Sequence, residues 1–563
     1  MVKDIGLWTR GPEFESPRGY SLPVSKKETS FFGRAFFLKR SVPNLRGAIY
    51  QSDLYHRNND TVMAHPKMEK FFERMEALEL ALAFDDVRLA TGFSPVRPSE
   101  VNIQSRFSRN IPVKIPIISA AMDTVTESKM AIELAKLGGL GIINRNFSPE
   151  EQAEEVRKVK QHLHALIQNP VTCYEDELIS DILIERQTKG HNFHTFPILN
   201  RAKKIVGIVT ENDFDLCADT RQPVKTIMTT DLITGKPDCT TEEAYRLMIQ
   251  KKKKVLPLVN EDNLLAGMYI FQDVRNIVSG ERSSYNVDSN GQLRVGAAIG
   301  VGKREVERAQ LLIGSKVDVI VIDTAHGHTQ RVLDTVKALK QKFPAVDVVA
   351  GNISEPEAVS DLIKAGVDGI KVGQGPGSIC TTRIIAGIGC PQVTAVYNCA
   401  KAARGSNIPI CADGGITYSG DISVALAAGG HTVMLGSLLA GTSESPGDVI
   451  YVEGKSFKRI RGMGSLSAMK ESRASRERYQ QTDEKKLVPE GVEGVVPYRG
   501  HLSDVLTQYL GGLRSGMGYV GAQTIEDFHQ KAYFRRITHA GQKESHPHDI
   551  HLITEAPNYR AKR

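Results

Sequence analysis

The sequence predicts an α/β chain built as a parallel (β/α)8 barrel with a smaller tandem module inserted into it, and three observations carry that prediction. From Pro116 onward, short apolar runs ending in Gly, Ser, Asp or Asn alternate with amphipathic stretches of helix length, which is the pattern of βα units. Eight such runs occur, at 116–119, 140–143, 294–299, 319–322, 346–349, 369–372, 408–411 and 432–435. Their spacing breaks once, between the second helix and the third strand, where more than a hundred residues intervene. Eight units fit a closed barrel, and an open doubly wound sheet is the alternative.

The composition bounds what such a chain does. Its 563 residues are 41% hydrophobic and 24% charged, a globular composition with room for more than one domain. The net charge of +7 is small for this length, and basic residues are interspersed with acids except at Lys251 to Lys254. That run reads as a solvated helix end, so no nucleic-acid site is indicated, while an anionic small molecule fits. The seven cysteines are an odd number, scattered, with no Cys-x-x-Cys pair, which argues against a disulfide framework or a structural zinc and points to a reducing cytoplasm. No apolar run approaches the roughly 20 residues of a membrane helix, and the N-terminus lacks the apolar core of a signal peptide. Residues 1–74 read as an irregular arm rich in aromatic, basic and turn residues, with the only tryptophan at Trp8, or as residues upstream of a start at Met63, Met68 or Met75.

In a barrel the residues just past each strand share one functional face. Here they are Met122 and Asp123, Asn144 to Asn146, Asp323 to His328, Gly351 and Asn352, the stretch GQGPGSICTTR from Gly373 to Arg383, Asp413 to Gly415, and Gly436 with Ser437. The lone Cys380 behind alternating glycines is either a small buried hydrophobe or a nucleophile. Two late glycine-rich loops, Ala412-Asp-Gly-Gly415 and Leu435-Gly-Ser437, each precede a helical pattern. Either alone reads equally as a simple turn, but together they favour a phosphorylated substrate held on free backbone amides. His326 and His328 invite a metal reading, yet two histidines without an obvious carboxylate partner are more often structural. Within the long interruption, Phe196-Pro-Ile-Leu-Asn200 with Gly207 and Asp213 recurs as Leu256-Pro-Leu-Val-Asn260 with Gly267 and Asp273, at a constant offset of 60. This is a tandem module within the barrel.

The ordered stretches FDDVRL, PIISAAMDTVTE, VIDTAHGHT, GQGPGSICTTR, ICADGGI, VMLGSLLAGTSESPG, RGMGSLSAM, RERYQQ, KLVPEGVEG and ESHPHD resemble the IMP dehydrogenase family, and the repeat resembles a CBS-domain pair (Bateman domain) at that family's usual insertion point. The resemblance implies NAD-dependent oxidation of IMP to xanthosine monophosphate, the committed step of guanine nucleotide synthesis. GMP reductase and a non-catalytic CBS nucleotide sensor are the rival readings. It implies domains at 75–168 and 283–563 for the barrel, 169–282 for the CBS pair, and a mobile flap at about 470–498.

Residue by residue, the resemblance makes Cys380 the nucleophile that attacks C2 of the hypoxanthine ring, with Arg478, Tyr479 and Thr382 activating the water that later releases product. It places phosphate on Ser378, Gly415, Gly436 and Ser437, the IMP ribose on Asp413, and the base on Met122, Met463, Gly464 and Glu490. The nicotinamide riboside falls to Asp323, with Asn352 and Gly373 nearby. A potassium ion is expected between carbonyls of Gly375, Gly377 and Cys380 and those of Glu544, Ser545 and His546 from a neighbouring subunit, in a homotetramer or octamer. Thr210 and Asp213 match the pair that holds a nucleotide ribose in CBS modules, whereas the second repeat has Ile270 and keeps only Asp273, so two unequal regulatory nucleotide sites are expected. Two positions depart from common family patterns: Ile460 stands where a phosphate-contacting tyrosine is frequent, and Ala120 where some relatives carry serine.

Overall fold

Eight parallel strands close on themselves in a computed structural model of the chain. They are β1 (Ile117–Ser119), β2 (Leu140–Ile143), β3 (Val295–Ile299), β4 (Val319–Asp323), β5 (Asp347–Ile353), β6 (Gly369–Val372), β7 (Ile410–Asp413) and β8 (Thr432–Leu435). Pairing runs in chain order, and β8 returns to β1 with Val433 opposite Ile117 and Leu435 opposite Ser119. The structure describes residues 64–559 apart from 164–165, 168, 189–194, 280–281, 483–484, 552 and 554–555. Most of the N-terminal arm therefore lies outside the described residues.

The strands are apolar on both faces because both faces are covered. Alternate residues serve two cores. Ile118, Leu140, Ile142, Val319, Val321, Val349 and Met434 fill the barrel interior, while Ile117, Ile143, Ile320, Ile322 and Val348 meet the surrounding helices. A hairpin of Ser105–Ser108 and Ile111–Val113 closes the end where the strands begin. Its Phe107 is fully buried in the interior core, and Ser108 Oγ donates to Asp347 Oδ2 at the start of β5 (2.6 Å).

Three strands extend further than the sequence suggests, β4 by the single residue Asp323. β5 runs through Asn352 and β7 through Asp413, so these polar residues are the strand ends themselves. The irregular reading of 1–74 also fails at its end, since Pro66–Ala77 is a helix, with Pro66 in its first turn. It buries Met68, Phe72 and Met75 on the barrel, and the Phe72 ring stacks on Tyr397 at 3.6 Å; burial of one apolar face stabilises the helix.

The insert forms two similar α/β units. The first carries a helix at Ile179–Thr188, strands Phe196–Leu199 and Ile205–Val209, and a helix at Glu211–Asp215. The second repeats this as Thr241–Lys251, Val255–Val259, Leu265–Ile270 and Phe271–Val278. Each has its own apolar core. The second unit's sheet gains a strand from Leu166–Ile167, so the insert begins ahead of residue 169. Lys251 ends a helix and Lys252 caps it in the left-handed conformation, as a solvated helix end requires.

Phe107→Ala is expected to cost about 3–5 kcal/mol, because a large buried ring leaves a cavity in a core that cannot fully collapse. Thermal unfolding followed by circular dichroism checks it; an unchanged midpoint contradicts the plug.

Candidate active site

The end of the barrel where the strands finish holds a cavity of about 140 Å3 lined by Met122, Asp323, Asn352, Gly373, Gly375, Gly377, Cys380, Thr382, Asp413, Met463, Arg478, Tyr479 and Glu490, among others. Parallel strands deliver their C-terminal residues to one face, so positions spread over hundreds of residues converge. Of the residues expected in the site, these thirteen line the cavity directly.

Cys380 lies on the loop after β6, half-buried, and its Sγ–H donates to Thr382 Oγ1 (3.2 Å) and faces the Glu490 carbonyl (3.8 Å). The loop is held from both sides. Cys380 N–H donates to Gly377 O (3.0 Å), and Arg383 reaches back to the carbonyls of Gln374 and Cys390. Three other cysteines are held as thiols by burial, which pushes Cys173 and Cys411 up to about 12 and Cys390 up to about 11.

The phosphate-type loops pack around the cysteine loop. Gly414 and Gly415 have positive φ and lie so close to Pro376 and Gly377 that a Cβ on Gly414 would sit 3.1 Å from the proline ring. Gly436 faces Met122 Sδ, and Ser437 opens a short helix, Ser437–Ala440. Ser378, Gly415, Gly436, Ser437 and Gly464 border the cavity's loops without being among its lining residues. Ile460 is buried in the apolar core, so its side chain offers no hydrogen bond to a phosphate. Ala120 lines the cavity.

A cover crosses the site. Helices Leu466–Glu471 and Arg473–Arg478 lead into Tyr479, and the returning strand Glu493–Pro497 joins a small sheet with Lys455–Arg461. The cover is tied to the cysteine loop by backbone. Thr381 N–H donates to Glu490 O (2.9 Å), Val492 N–H to Ile379 O (2.9 Å), and Glu490 N–H to Gly464 O (3.0 Å). The Tyr479 ring lies against Gly464, where an added Cβ would be 2.6 Å from it. Burial pushes the Tyr479 phenol up, and the same cause draws the Arg478 guanidinium below its ordinary value. Arg478 is nevertheless ion-paired with Asp323, and its carbonyl accepts from Ala325 N–H (3.3 Å).

Lys371 and several pairings of the site escaped the sequence reading. Lys371 on β6 is buried between Asp323 (2.8 Å) and Asp413 (2.6 Å); its signal was one charge in the otherwise apolar Gly-Ile-Lys-Val. Arg145 past β2 donates to the Ala474 carbonyl (2.8 Å) and pairs with Glu477 (3.5 Å), bracing the helix that carries Arg478. Arg461 pairs with Asp123 (2.7 Å). Only the fold brings these partners together.

The two histidines have separate partners, and His328 has the carboxylate that the sequence did not make obvious. His326 meets Gln374 (3.1 Å), His328 meets Asp361 (3.0 Å), and no group of three metal-type ligands occurs among the described residues. Glu544, Ser545 and His546 lie at the end of a short helix, where His546 Nδ1 meets the Tyr559 hydroxyl (3.0 Å) and its ring faces Tyr418. They do not line the cavity. In the insert, Thr210 N–H and Oγ1–H both donate to Asp213 Oδ2 (2.7 and 2.8 Å), joining the expected pair at a helix start. Burial raises Asp273.

A half-buried thiol, two carboxylates and an Arg-Tyr pair gathered where the strands of a closed parallel barrel finish have the layout of a barrel enzyme's site. The comparisons name the family. The IMP dehydrogenase / GMP reductase domain matches residues 81–548, and the chain belongs to that family. It is 48% identical to inosine-5'-monophosphate dehydrogenase of Chlorobaculum parvum over 485 residues, covering 85% of this chain and 98% of that one. The Aquifex aeolicus protein of the same name is 49% identical over 487 residues, covering 85% and 97%, and that of Bacillus subtilis 46% over 481, covering 85% and 97%. Among solved structures, a cysteine-to-alanine GMP reductase from Trypanosoma brucei in complex with guanosine 5'-monophosphate superposes with a TM-score of 0.78 at 38% identity, covering 84% of this chain and all of that one.

Gly373 has φ +149°, and a Cβ there would fall 2.1 Å from the Asp413 carbonyl. Gly373→Ala is expected to destabilise the barrel by about 1–3 kcal/mol, since backbone must shift to admit the methyl. A urea midpoint equal to that of the parent chain would contradict the close approach.

Proposed function

We propose that the chain oxidises IMP to xanthosine monophosphate with NAD as the hydride acceptor, through a covalent adduct on Cys380. The observation that carries this reading is the half-buried Cys380 thiol, beside Thr382 and under the Arg478–Tyr479 cover, in a cavity that also presents Asp413 and Asp323. Attack of the thiolate on C2 of the purine makes that carbon tetrahedral. C2 then loses hydride to NAD, restoring the double bond and leaving a thioimidate-like adduct. Water adds to C2, sulfur leaves as thiolate, and xanthosine monophosphate departs.

Asp413, at the end of β7, suits the ribose hydroxyls of IMP, and the glycine-rich loops with Ser378 and Ser437 suit its phosphate. Asp323 suits the ribose hydroxyls on the nicotinamide side, with Asn352 and Gly373 beside it. In the present arrangement Arg478 occupies Asp323, which fits a cover that enters the cofactor's place once NADH has gone. Closure excludes bulk water, and a guanidinium whose proton is held less firmly than usual, beside Thr382 and Tyr479, suits deprotonation of the attacking water.

Gly375, Gly377 and Cys380 present carbonyls suited to a potassium ion shared with Glu544, Ser545 and His546 of another copy, in a homotetramer or octamer. The insert, read as a CBS pair that begins by Leu166, is a regulatory module for nucleotides. Thr210 and Asp213 in the first repeat and Asp273 in the second make its two sites unequal. A reducing cytoplasm suits the seven free cysteines. No helix of the described residues is long and apolar enough to cross a membrane.

The resemblance to a GMP reductase structure keeps the reverse-type reduction of GMP as the second reading. Incubation with IMP and NAD, against GMP and NADPH, separates them. NADH and xanthosine monophosphate from the first mixture are expected, and Cys380→Ser is expected to bind IMP yet lose turnover by at least about a thousandfold. Near-normal turnover by that variant would sink the adduct.

Arg478→Ala isolates the second half-reaction. Hydride transfer precedes closure, so a stopped-flow trace should show a rapid burst of NADH near one per active site, then a steady state slower by about a hundredfold or more as the Cys380 adduct accumulates. Loss of the burst together with the steady state would place Arg478 earlier in the reaction.

A further inference from the structure

We propose that Lys371 is a positioning residue that holds both ribose-binding carboxylates in register; this rests on the assignment of Asp413 to IMP and Asp323 to NAD. Lys371 projects from β6 and is 2% exposed. Its ammonium has three N–H groups, and the structure gives them three acceptors: Asp323 Oδ1 (2.8 Å), Asp413 Oδ2 (2.6 Å) and Asn352 Oδ1. Those acceptors stand at the ends of β4, β7 and β5. One side chain therefore gathers the ends of three neighbouring strands from the fourth. Asn352 completes the link, its amide donating to Asp413 Oδ2 (2.9 Å) and to Gly373 O (2.6 Å).

Two carboxylates brought together in a poorly solvated place would repel and one would take up a proton, which would spoil it as an acceptor for ribose hydroxyls. A shared ammonium offsets their repulsion and fixes their separation. Asp323 has a second cation in Arg478, but Arg478 rides on the cover. Asp413 has Lys371 as its one ion-pair partner within 4 Å among the described residues. Lys371 is thus the counter-ion that stays when the cover lifts and NAD must enter. Because one ammonium serves both carboxylates, loosening either one loosens the other, and the two ribose subsites are linked through a residue assigned to neither ligand.

The test uses the full-length chain. Lys371→Met is expected to raise both the dissociation constant for IMP, measured without NAD, and the KM for NAD by about tenfold or more, with kcat changed less than about threefold. Lys371→Arg is expected to bring both constants back to within about threefold of the parent, since it restores a cation that can bridge two carboxylates. An effect on one ligand alone, a fall in kcat with both constants unchanged, or no rescue by arginine would overturn the proposal. Should Lys371→Met fail to fold, Asp413→Asn serves, with a rise in the KM for NAD of at least about threefold expected although Asp413 belongs to the nucleotide side; an unchanged KM for NAD overturns the proposal. Turnover of IMP and NAD by the parent chain is measured alongside, and its absence would count against the proposed function rather than against Lys371.

Discussion

Closure of the sheet, β8 onto β1, is the constraint on which everything else in the barrel depends. With Leu435 paired to Ser119, the loops after the first and last strands become neighbours, and Gly436 can face Met122. Closure also removes both sheet edges and surrounds the interior residues with apolar partners on every side. A strand end in such a barrel has nowhere to point but the common mouth or the outer helices. That is why carboxylates from β4 and β7, an amide from β5 and an ammonium from β6 can meet there although these strands are mostly apolar along their middles.

A charged cluster at the mouth is costly unless its members satisfy one another. The site meets that demand by distributing four groups over adjacent strands and then laying the Arg478 cover across Asp323. The cover in turn depends on its backbone ties to residues 379–381 and on Arg145 beneath it. The strand ends belong to the parallel ladders of the closed barrel, with a register shift at Gly351–Ile353, whereas the cover consists of two short helices, one three-stranded sheet and a handful of hydrogen bonds to the cysteine loop. The proposed reaction, with one geometry for hydride transfer and another for hydrolysis, calls for a cover that can move over a fixed barrel mouth.

The same chain hosts a second, independent folding problem in the insert. Its two units repeat one pattern because each has its own small core, and each sheet presents apolar residues to a pair of helices. The repeats diverge where ligand contact is expected: Thr210 donates to Asp213 at one helix start, and Ile270 occupies the corresponding position at the other. An apolar side chain at that position cannot supply the same hydroxyl.

Much of this was written in the sequence alone. Eight apolar runs with polar ends, the repeat at an offset of 60, and the cysteine loop are local patterns, and local patterns follow from the periodicities of strands, helices and turns. The roles expected of Cys380, Asp413 and Arg478 came instead from the family resemblance, which short, distinctive stretches carry, since periodicity alone left the cysteine undecided. What only the tertiary structure decided were partnerships between distant segments: Lys371 with Asp323 and Asp413, Arg145 with Glu477, Phe72 on Tyr397, and Leu166–Ile167 completing the second repeat's sheet. Nothing in one strand announces which charge another strand will bring to it. The strand boundaries at Asn352 and Asp413 belong to the same class, because polar residues extend a strand only when neighbouring strand ends offer hydrogen bonds and a counter-ion in place of water.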